Sequence, residues 1–280
     1  MDKIFVINNL GEKEVFSPTK LYKSARRSGA SKELASRVVN TISPLVKNGD
    51  TTKNIYKLMK GLLLKLEKPV GIKFSLKESL RKLGPTGYPF EIFMGELFAR
   101  YGFQTKIEIF VKGICVDYEI DFQAVKDKTM YLSECKYHSD SGSRVDINTI
   151  LIAYASFVDM DQGEYCSSYK KQGGQVKRLV VTNTKFTNKA IKYASCFGVG
   201  LLGWHYPDNS GIEHLIDSSR LYPITILPSM NNYLLDIFFK RGIVFCVDLL
   251  KWNEHDLTKQ FHIDANIAYK ILAESKMLLQ

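Results

Sequence analysis

Two neighbouring stretches, VDYEIDFQAV at residues 116–125 and MYLSECKYH at residues 130–138, decide the fold of the central part of the chain. Apolar and polar residues alternate along the first stretch, which is typical of a β-strand with one apolar and one polar face. This alternation predicts that Asp117, Glu119 and Asp121 share a face. If the two stretches form a hairpin, Glu134 and Lys136 come to lie beside Asp121 at one edge of a sheet.

The surrounding sequence predicts more strands and helices around this hairpin. Helices are expected where apolar residues recur at helical spacing, and strands where short apolar runs end at turn residues. The predicted strands are 106–111, 175–182 and 199–204, and the predicted helices are 89–101, 147–161 and 187–197. Helices interleaved with strands in this way indicate an α/β fold with a helix covering a mixed sheet.

Two loops divide the chain into three predicted domains. The first is the glycine- and proline-containing segment at 83–87, and the second is marked by Pro223 and Pro228. The predicted domains are therefore 1–84, 85–227 and 228–280. The first should contain a short hairpin followed by helices that begin at Ser17, Ser31 and about Thr51, and the third should be all-helical.

Positive charge is concentrated in the first predicted domain. The chain of 280 residues has 39 Lys and Arg against 29 Asp and Glu, a net charge of +10. Residues 1–84 hold 18 basic and 7 acidic side chains, whereas 85–227 hold 15 and 16, and 228–280 hold six of each. This surplus has two interpretations, a lysine-rich solvated surface or a surface that binds phosphates.

Composition excludes several other classes of protein. Hydrophobic residues make up 45 % of the chain, which is typical of a globular protein and not of a disordered one. No apolar run approaches the roughly 18 residues that span a bilayer, and the N-terminus lacks the features of a signal peptide. Five scattered cysteines fit reduced thiols. We therefore expect a cytoplasmic protein without a membrane partner.

The residues at the predicted sheet edge suit phosphodiester hydrolysis. Asp121 and Glu134 could hold Mg²⁺ or Mn²⁺ through oxygen ligands, and Lys136 could orient a water and offset charge on the phosphate. On a helical wheel Glu91 flanks the buried face of helix 89–101, so it is a fourth candidate, whereas Glu96 points away. The alternative is an ordinary solvated strand face on which acidic residues have no catalytic role.

Residues 89–204 resemble the PD-(D/E)xK nuclease superfamily, in its Mrr-like restriction endonuclease branch. The matching positions are Phe90-Glu91, Gly102-Phe103, Glu119-Ile120-Asp121, Glu134-Cys135-Lys136, Val180-Val181-Thr182-Asn183 and the helix at 190–194. The resemblance implies a restriction-endonuclease-like core that cleaves DNA, in restriction or defence. It also implies that Asp121 and Glu134 bind the metal, that Lys136 is the catalytic lysine and that Glu91 assists.

The N-terminal third resembles the ATP-cone, a nucleotide-sensing domain. The matching stretches are VINNLG at residues 6–11 and FSPTKL at 16–21. The resemblance implies an ATP or dATP effector and makes Lys20 the phosphate-contacting lysine. Asn8 and Asn9 stand where the family usually has basic residues. Because the chain has no G-x-x-x-x-G-K-[ST] loop, ATP hydrolysis by a P-loop is not expected.

Residues 228–280 resemble a helix-hairpin-helix module, with Phe261-His262-Ile263 in place of the hairpin glycine. The sequence as a whole predicts a metal-dependent DNA endonuclease, regulated by a nucleotide, whose C-terminal helices aid DNA binding or formation of a homodimer. Two alternatives stay open. One is a nucleotide-responsive DNA-binding protein without catalysis, and the other is an RNase or junction-resolving nuclease on the same fold.

Overall fold

The computed structural model describes residues 3–84 and 86–280. The chain forms two compact units. The terminal unit comprises the described residues up to Ser79 together with Ile224–Gln280, and the central unit is Leu80–Pro223. The sequence predicts separate domains for 1–84 and 228–280, whereas the structure groups these two segments in one unit. Pro85, where the predicted nuclease domain begins, lies outside the described residues.

Helices make up most of the terminal unit and flank the sheet of the central unit. In chain order the α-helices of the described residues are α1 (Pro18–Arg27), α2 (Lys32–Ile42), α3 (Thr52–Leu66), α4 (Lys68–Phe74), α5 (Leu76–Leu80), α6 (Tyr88–Arg100), α7 (Ile147–Gln162), α8 (Glu164–Lys171), α9 (Asn188–Phe197), α10 (Ile212–Ser219), α11 (Asn232–Phe239), α12 (Cys246–Leu249), α13 (Glu254–Phe261) and α14 (Ala265–Leu279). Side-chain oxygens of Ser17, Ser31 and Thr51 cap α1, α2 and α3, as their sequence positions predict.

In residues 3–84 and 86–280 the strands form one five-stranded sheet and two small ladders. In chain order the strands are β1 (Phe5–Ile7), β2 (Lys13–Val15), β3 (Gln104–Lys112), β4 (Asp117–Lys126), β5 (Thr129–Lys136), β6 (Arg144–Val145), β7 (Gln175–Thr182), β8 (Lys185–Phe186) and β9 (Val199–Leu202). The sheet has the order β3-β4-β5-β7-β9. Its first three strands pair antiparallel and its last three parallel. The predicted α/β class with a mixed sheet is confirmed.

The terminal unit joins the two ends of the chain through buried polar contacts. Glu274 of α14, which is 5 % exposed, accepts a hydrogen bond of 3.0 Å from the Ser229 N–H and lies 3.6 Å from Lys68 Nζ of α4. The Thr225 hydroxyl donates to the Ser79 carbonyl at 2.9 Å. A buried carboxylate left without these partners would be costly, which ties the C-terminal helices to the N-terminal ones.

In the central unit, the apolar side chains of β3 and β4 switch from one face of the sheet to the other at one position. The Ile107–Phe122 pair lies against α6, because a β-carbon at Gly95 would meet the Ile107 side chain and the Phe98 and Phe122 rings are 5.2 Å apart. The next pair in register, Ile109 and Ile120, packs instead in the apolar cluster that includes α7 and α9. Strict alternation would have kept both pairs on one face.

Glu108, between these two pairs, explains the change. Its φ of 50° lies in the left-handed region, which a residue with a β-carbon rarely adopts within a strand. The register places Glu108 opposite Asp121. The extra rotation at this pair exchanges the faces on either side, so the alternation that the sequence predicts for 116–125 does not run through Asp121. Local distortions of this kind re-aim side chains, often beside functional sites.

Some short elements are not foreseen by the sequence reasoning. Helices α8 and α10 lie in segments for which the sequence analysis predicted neither a helix nor a strand. Their positions are decided by packing against the sheet and the loops around it. None of the helices in the described parts of the chain combines the length and apolar character needed to cross a membrane.

The left-handed backbone at Glu108 predicts that glycine is more stable than valine at this position, the opposite of the usual order in a β-strand. We expect Glu108→Gly to be more stable than Glu108→Val by about 1–2 kcal/mol, because a β-branched residue resists positive φ. At Lys106, an exposed residue of the same strand, valine should instead exceed glycine in stability. Urea unfolding of the four variants measures both differences. The same order at the two positions would contradict the role assigned to Glu108.

Candidate active site

The candidate site lies where β4 and β5 separate. Their ladder runs from Lys126 paired with Thr129 to Phe122 paired with Ser133, and ends there. Two residues beyond Ser133, the Cys135 N–H donates a hydrogen bond of 2.5 Å to Oδ2 of Asp121, the residue next to Phe122. A side-chain carboxylate thus takes the place of a main-chain acceptor. The exchange satisfies the Cys135 N–H and holds the Asp121 carboxyl between the two strands.

Glu134 and Lys136 lie on β5 beside this carboxyl. The strand is held on its other side by a parallel ladder in which Glu134 pairs with Val180 and Lys136 with Thr182. Lys136 Nζ is 2.7 Å from Glu134 Oε1, and the lysine side chain is 45 % exposed. A substrate can therefore reach the ammonium group, while the paired strand behind it fixes its position.

Glu91 comes from the first turn of α6 and completes the cluster. A β-carbon at Gly87 would lie only 2.9 Å from Glu91 Oε1, so this glycine leaves room for the carboxyl. Burial raises the pKa of Glu91, and the nearby carboxylates of Glu108, Glu119 and Glu134 raise it further. The structure thus brings together Glu91, Asp121, Glu134 and Lys136. Glu96 is exposed on the other side of α6.

Burial and like charge dominate the electrostatics of the site. Burial raises the pKa of Asp121 from 3.8 to about 7; the Cys135 hydrogen bond opposes this shift, and the charges of Glu134 and Glu91 add to it. For Lys136, burial lowers the pKa, but the hydrogen bond and charge of Glu134 and the charge of Asp121 outweigh burial and leave the pKa raised. The lysine therefore stays charged while several carboxylates repel one another, an environment that favours an additional cation.

Glu108 is an acidic neighbour that sequence reasoning missed. It adds negative charge at Glu91 from across the sheet edge. No periodic signal could have found it, because its place beside the site follows from the left-handed backbone of an edge strand. Glu119, by contrast, lies in the alternating stretch 116–125 that the sequence analysis singled out, and its charge also raises the pKa of Glu91.

Asn183 supports the site from the bend that follows β7. Its buried amide accepts from the His138 N–H at 2.9 Å and donates to the His138 carbonyl at 2.8 Å. The Thr182 hydroxyl donates to the Lys136 carbonyl at 2.6 Å. These bonds hold the chain just beyond the end of β5. Burial lowers the pKa of His138, which keeps its imidazole neutral near pH 7.

The donors at the site fit a hard cation. Asp121 and Glu134 offer carboxylate oxygens, the ligands that Mg²⁺ and Mn²⁺ prefer, and Mg²⁺ commonly keeps several waters while bound by one or two carboxylates. The mutual repulsion that raises the Asp121 pKa is what such a cation would relieve. In residues 3–84 and 86–280, no three His, Cys, Asp or Glu side chains form a complete metal-binding group.

Lys20, the lysine implied by the ATP-cone resemblance, lies in the terminal unit. Its Nζ forms an exposed ion pair of 3.0 Å with Glu14 of β2. The same unit has an open cavity of about 450 Å³, lined by Phe5, Ile7, Lys13, Asn48 and Gly49. Lys20 is outside this lining set, so its contact with a nucleotide stays a prediction.

The raised pKa of Asp121 makes stability depend on pH in a defined direction. Below pH 3.8 the carboxyl is protonated whether the protein is folded or not. Between pH 3.8 and about 7 the unfolded chain loses this proton while the folded protein keeps it, so stability falls across this range and stays low above it. Asp121→Asn keeps an acceptor for the Cys135 N–H. We expect this variant to exceed the parent in stability by about 2 kcal/mol at pH 8, with little difference at pH 4.

Urea unfolding in EDTA at the two pH values measures this. Asp117→Asn, at the exposed start of the same strand, is the matched control and should show no such trend. A difference for Asp121→Asn that is equal at pH 4 and pH 8 would contradict the buried, electrostatically strained carboxyl.

Comparison with known proteins assigns the chain to a family. The C-terminal segment, residues 222–279, matches the family model described as AF1548-like, C-terminal. An uncharacterized protein of Archaeoglobus fulgidus is 36 % identical over 186 residues, which cover 66 % of this chain and 99 % of the relative. The crystal structure of the protein of unknown function AF1548 is 34 % identical, with a TM-score of 0.57, and the match covers 69 % of this chain and 98 % of that one. The chain belongs to the AF1548-like family.

Proposed function

We propose that the central unit is a metal-dependent endonuclease with a restriction-endonuclease-like core that hydrolyses DNA phosphodiester bonds. The observation that supports it most is the convergence of Asp121, Glu134 and Lys136 where β4 and β5 separate, with Lys136 Nζ 2.7 Å from Glu134 Oε1. Two carboxyls that can hold a metal and a charged amine, grouped where two strands separate, suit the hydrolysis of a phosphodiester.

Asp121 and Glu134 would hold Mg²⁺ or Mn²⁺, with the main-chain carbonyl of Cys135 between them as a further oxygen donor. When bound, such a metal supplies positive charge to the scissile phosphate and lowers the pKa of water. Hydrolysis joins a water oxygen to phosphorus and breaks one P–O ester bond, and the leaving oxygen takes up a proton.

Lys136 would act through its charge. Because Glu134 and Asp121 keep its pKa raised, the side chain is an ammonium group at neutral pH and has no lone pair to accept a proton. It can donate hydrogen bonds to the attacking water and to a phosphoryl oxygen on which negative charge develops. Glu91 would assist from α6 by adding a carboxylate to the same cluster.

Cleavage assays with matched variants test this proposal. We expect cleavage of duplex DNA with Mg²⁺ or Mn²⁺ and none in EDTA. Glu134→Gln and Lys136→Met should each reduce the rate by about 100-fold or more, because each removes a charge that acts on the reacting phosphate. The matched controls are Glu96→Gln on the exposed face of α6 and Lys112→Met at the exposed end of β3, and both should cleave like the parent.

The substrate panel decides between the related functions. Duplex, single-stranded and branched DNA and RNA are compared under the same conditions. Faster cleavage of RNA or of branched DNA would replace the proposed substrate by that one. Binding of DNA without cleavage of any substrate would instead favour the non-catalytic DNA-binding protein.

We propose as a second function that an adenine nucleotide effector binds the terminal unit in the cavity beside the β1–β2 hairpin. Its volume of about 450 Å³ is within the range of small-molecule sites. Phe5 and Ile7 offer apolar surface for a base, and Lys13 offers a cation for a phosphate. This combination suits a nucleotide, and the ATP-cone resemblance implies ATP or dATP.

Calorimetric titration with ATP, dATP and GTP tests the cavity. Lys13→Ala should weaken binding of ATP or dATP about tenfold or more, because one charge-assisted hydrogen bond is lost. Lys20→Ala is measured beside it. A loss confined to the Lys20 variant would move the phosphates to the lysine implied by the ATP-cone resemblance, and absence of binding by the parent would remove the effector from the proposal.

A further inference from the structure

The net positive charge of the protein belongs to one of its two units. Residues 1–79 contain 16 Lys and Arg against 7 Asp and Glu, and the rest of the terminal unit, residues 224–280, contains six of each. The central unit contains 17 basic and 16 acidic side chains and is nearly neutral. A nuclease whose catalytic unit lacks net positive charge needs another surface to attract a polyanion.

Helix α3 carries a concentrated part of this charge. Its sequence from Thr52 to Leu66, TKNIYKLMKGLLLKL, has four lysines and no acidic residue. Ile55, Met59 and Leu63 are buried on one side of the helix. Lys60, at the margin, pairs with Glu78 at 3.0 Å.

The other three lysines of α3 are exposed and are named here the lysine stripe: Lys53, Lys57 and Lys65. In the described part of the chain none of them takes part in an ion pair. Their charges are therefore available to a partner from outside the chain.

The spacing of the stripe follows the helix surface. Lys53 and Lys57 are four residues apart, or about 6 Å along the axis, and Lys65 follows about 12 Å further on. The whole stripe is about 18 Å long and keeps to one side of the helix. One strand of duplex DNA carries a phosphate every 3.4 Å or so of its axis, so the stripe could follow about five phosphates.

Gly61 occupies the one position of this row that lacks a lysine. It is exposed, and a β-carbon there would meet no atom within 4 Å, so packing does not require a glycine. Glycine in a helix interior is unfavourable compared with alanine. Its effect here is to flatten the helix surface midway along the stripe, which lets another backbone approach closely.

We propose that the lysine stripe and Gly61 form the surface by which this protein holds the sugar–phosphate backbone of duplex DNA. The choice of DNA rests on the proposed nuclease function. A membrane surface is a poorer match, because the apolar side of α3 is buried in the unit. Among the described residues of α3, Leu58 is the single large apolar side chain that is exposed, which is too little apolar surface to enter a membrane. The covalent link between the units keeps bound DNA at high local concentration around the central unit.

Binding of a fluorescein-labelled 20-base-pair duplex to the full chain, followed by anisotropy in EDTA between 50 and 300 mM KCl, tests the stripe. EDTA prevents metal-dependent cleavage during the titration. The variant Lys53→Ala/Lys57→Ala/Lys65→Ala should bind about 10- to 100-fold more weakly at 100 mM KCl. The slope of log affinity against log salt should fall by about 2–3, as expected for three lost phosphate contacts.

The matched control removes three exposed lysines of the same unit from α13 and α14, as Lys259→Ala/Lys270→Ala/Lys276→Ala. It has the same net charge as the stripe variant. Because its three lysines lie outside the stripe, it should retain the salt slope of the parent. Equal losses in the two triple variants would show that only overall charge matters and would overturn the proposed surface.

Gly61 gives a second, single-residue test. Gly61→Glu and Gly61→Gln place side chains of the same size in open space, and circular dichroism checks that both variants fold. We expect Gly61→Glu to bind at least about fivefold more weakly than Gly61→Gln, because its charge would face the phosphates. Equal binding by the two variants would overturn the proposal.

The result of the DNA-binding test can be distinguished from the result of the cleavage test of the proposed nuclease. Stripe-dependent binding of DNA by a protein that cleaves nothing would support this surface and remove the proposed activity. Cleavage by a protein whose DNA affinity and salt slope are unchanged in the stripe variant would support the nuclease and overturn the proposed surface. Tighter, stripe-dependent binding of duplex RNA would overturn DNA as the partner.

Discussion

The hydrogen bond from the Cys135 N–H to Asp121 Oδ2 is the contact on which the candidate site depends. The main-chain ladder between β4 and β5 ends at the pair of Phe122 and Ser133, and the next buried N–H needs another acceptor. The acceptor is a side chain because the backbone of β3 is left-handed at Glu108, the residue opposite Asp121. This rotation changes the direction of the side chains at that pair. A local irregularity in an edge strand thus places a carboxyl in the gap between two strands, where Glu134 and Lys136 reach it.

This arrangement carries an electrostatic cost that a functional site can use. Burial and neighbouring carboxylates raise the pKa of Asp121 to about 7, so the ionised site opposes folding near neutral pH. Lys136 offsets only part of the repulsion, and it stays charged in doing so. A cation would turn the repulsion into binding energy. Concentrated like charge at the expense of stability is common at functional sites and rare on inert surfaces.

The terminal unit is held together by a different kind of contact, between segments far apart in the sequence. Glu274 of α14 accepts hydrogen bonds from Ser229 and faces Lys68 of α4, and Thr225 bonds to the chain at Ser79. The region that matches the AF1548-like C-terminal model therefore folds against the N-terminal helices. Helix α4, which contacts α14, also packs against α3. The exposed lysines of α3 belong to the unit that holds most of the net positive charge, whereas the central unit is nearly neutral.

Local sequence alone determined the elements whose physical cause is local. Ser17, Ser31 and Thr51 mark helix starts because each side chain caps its own helix. Alternation marks the first part of β4, because successive residues from Asp117 to Phe122 differ in burial. Tertiary structure decided the rest. The face change at Asp121 depends on Glu108, a left-handed residue in the partner strand. The packing of the two chain ends includes the ion pair between buried Glu274 and Lys68, which are far apart in the sequence. Neither leaves a periodic trace, because each cause lies in another segment of the chain.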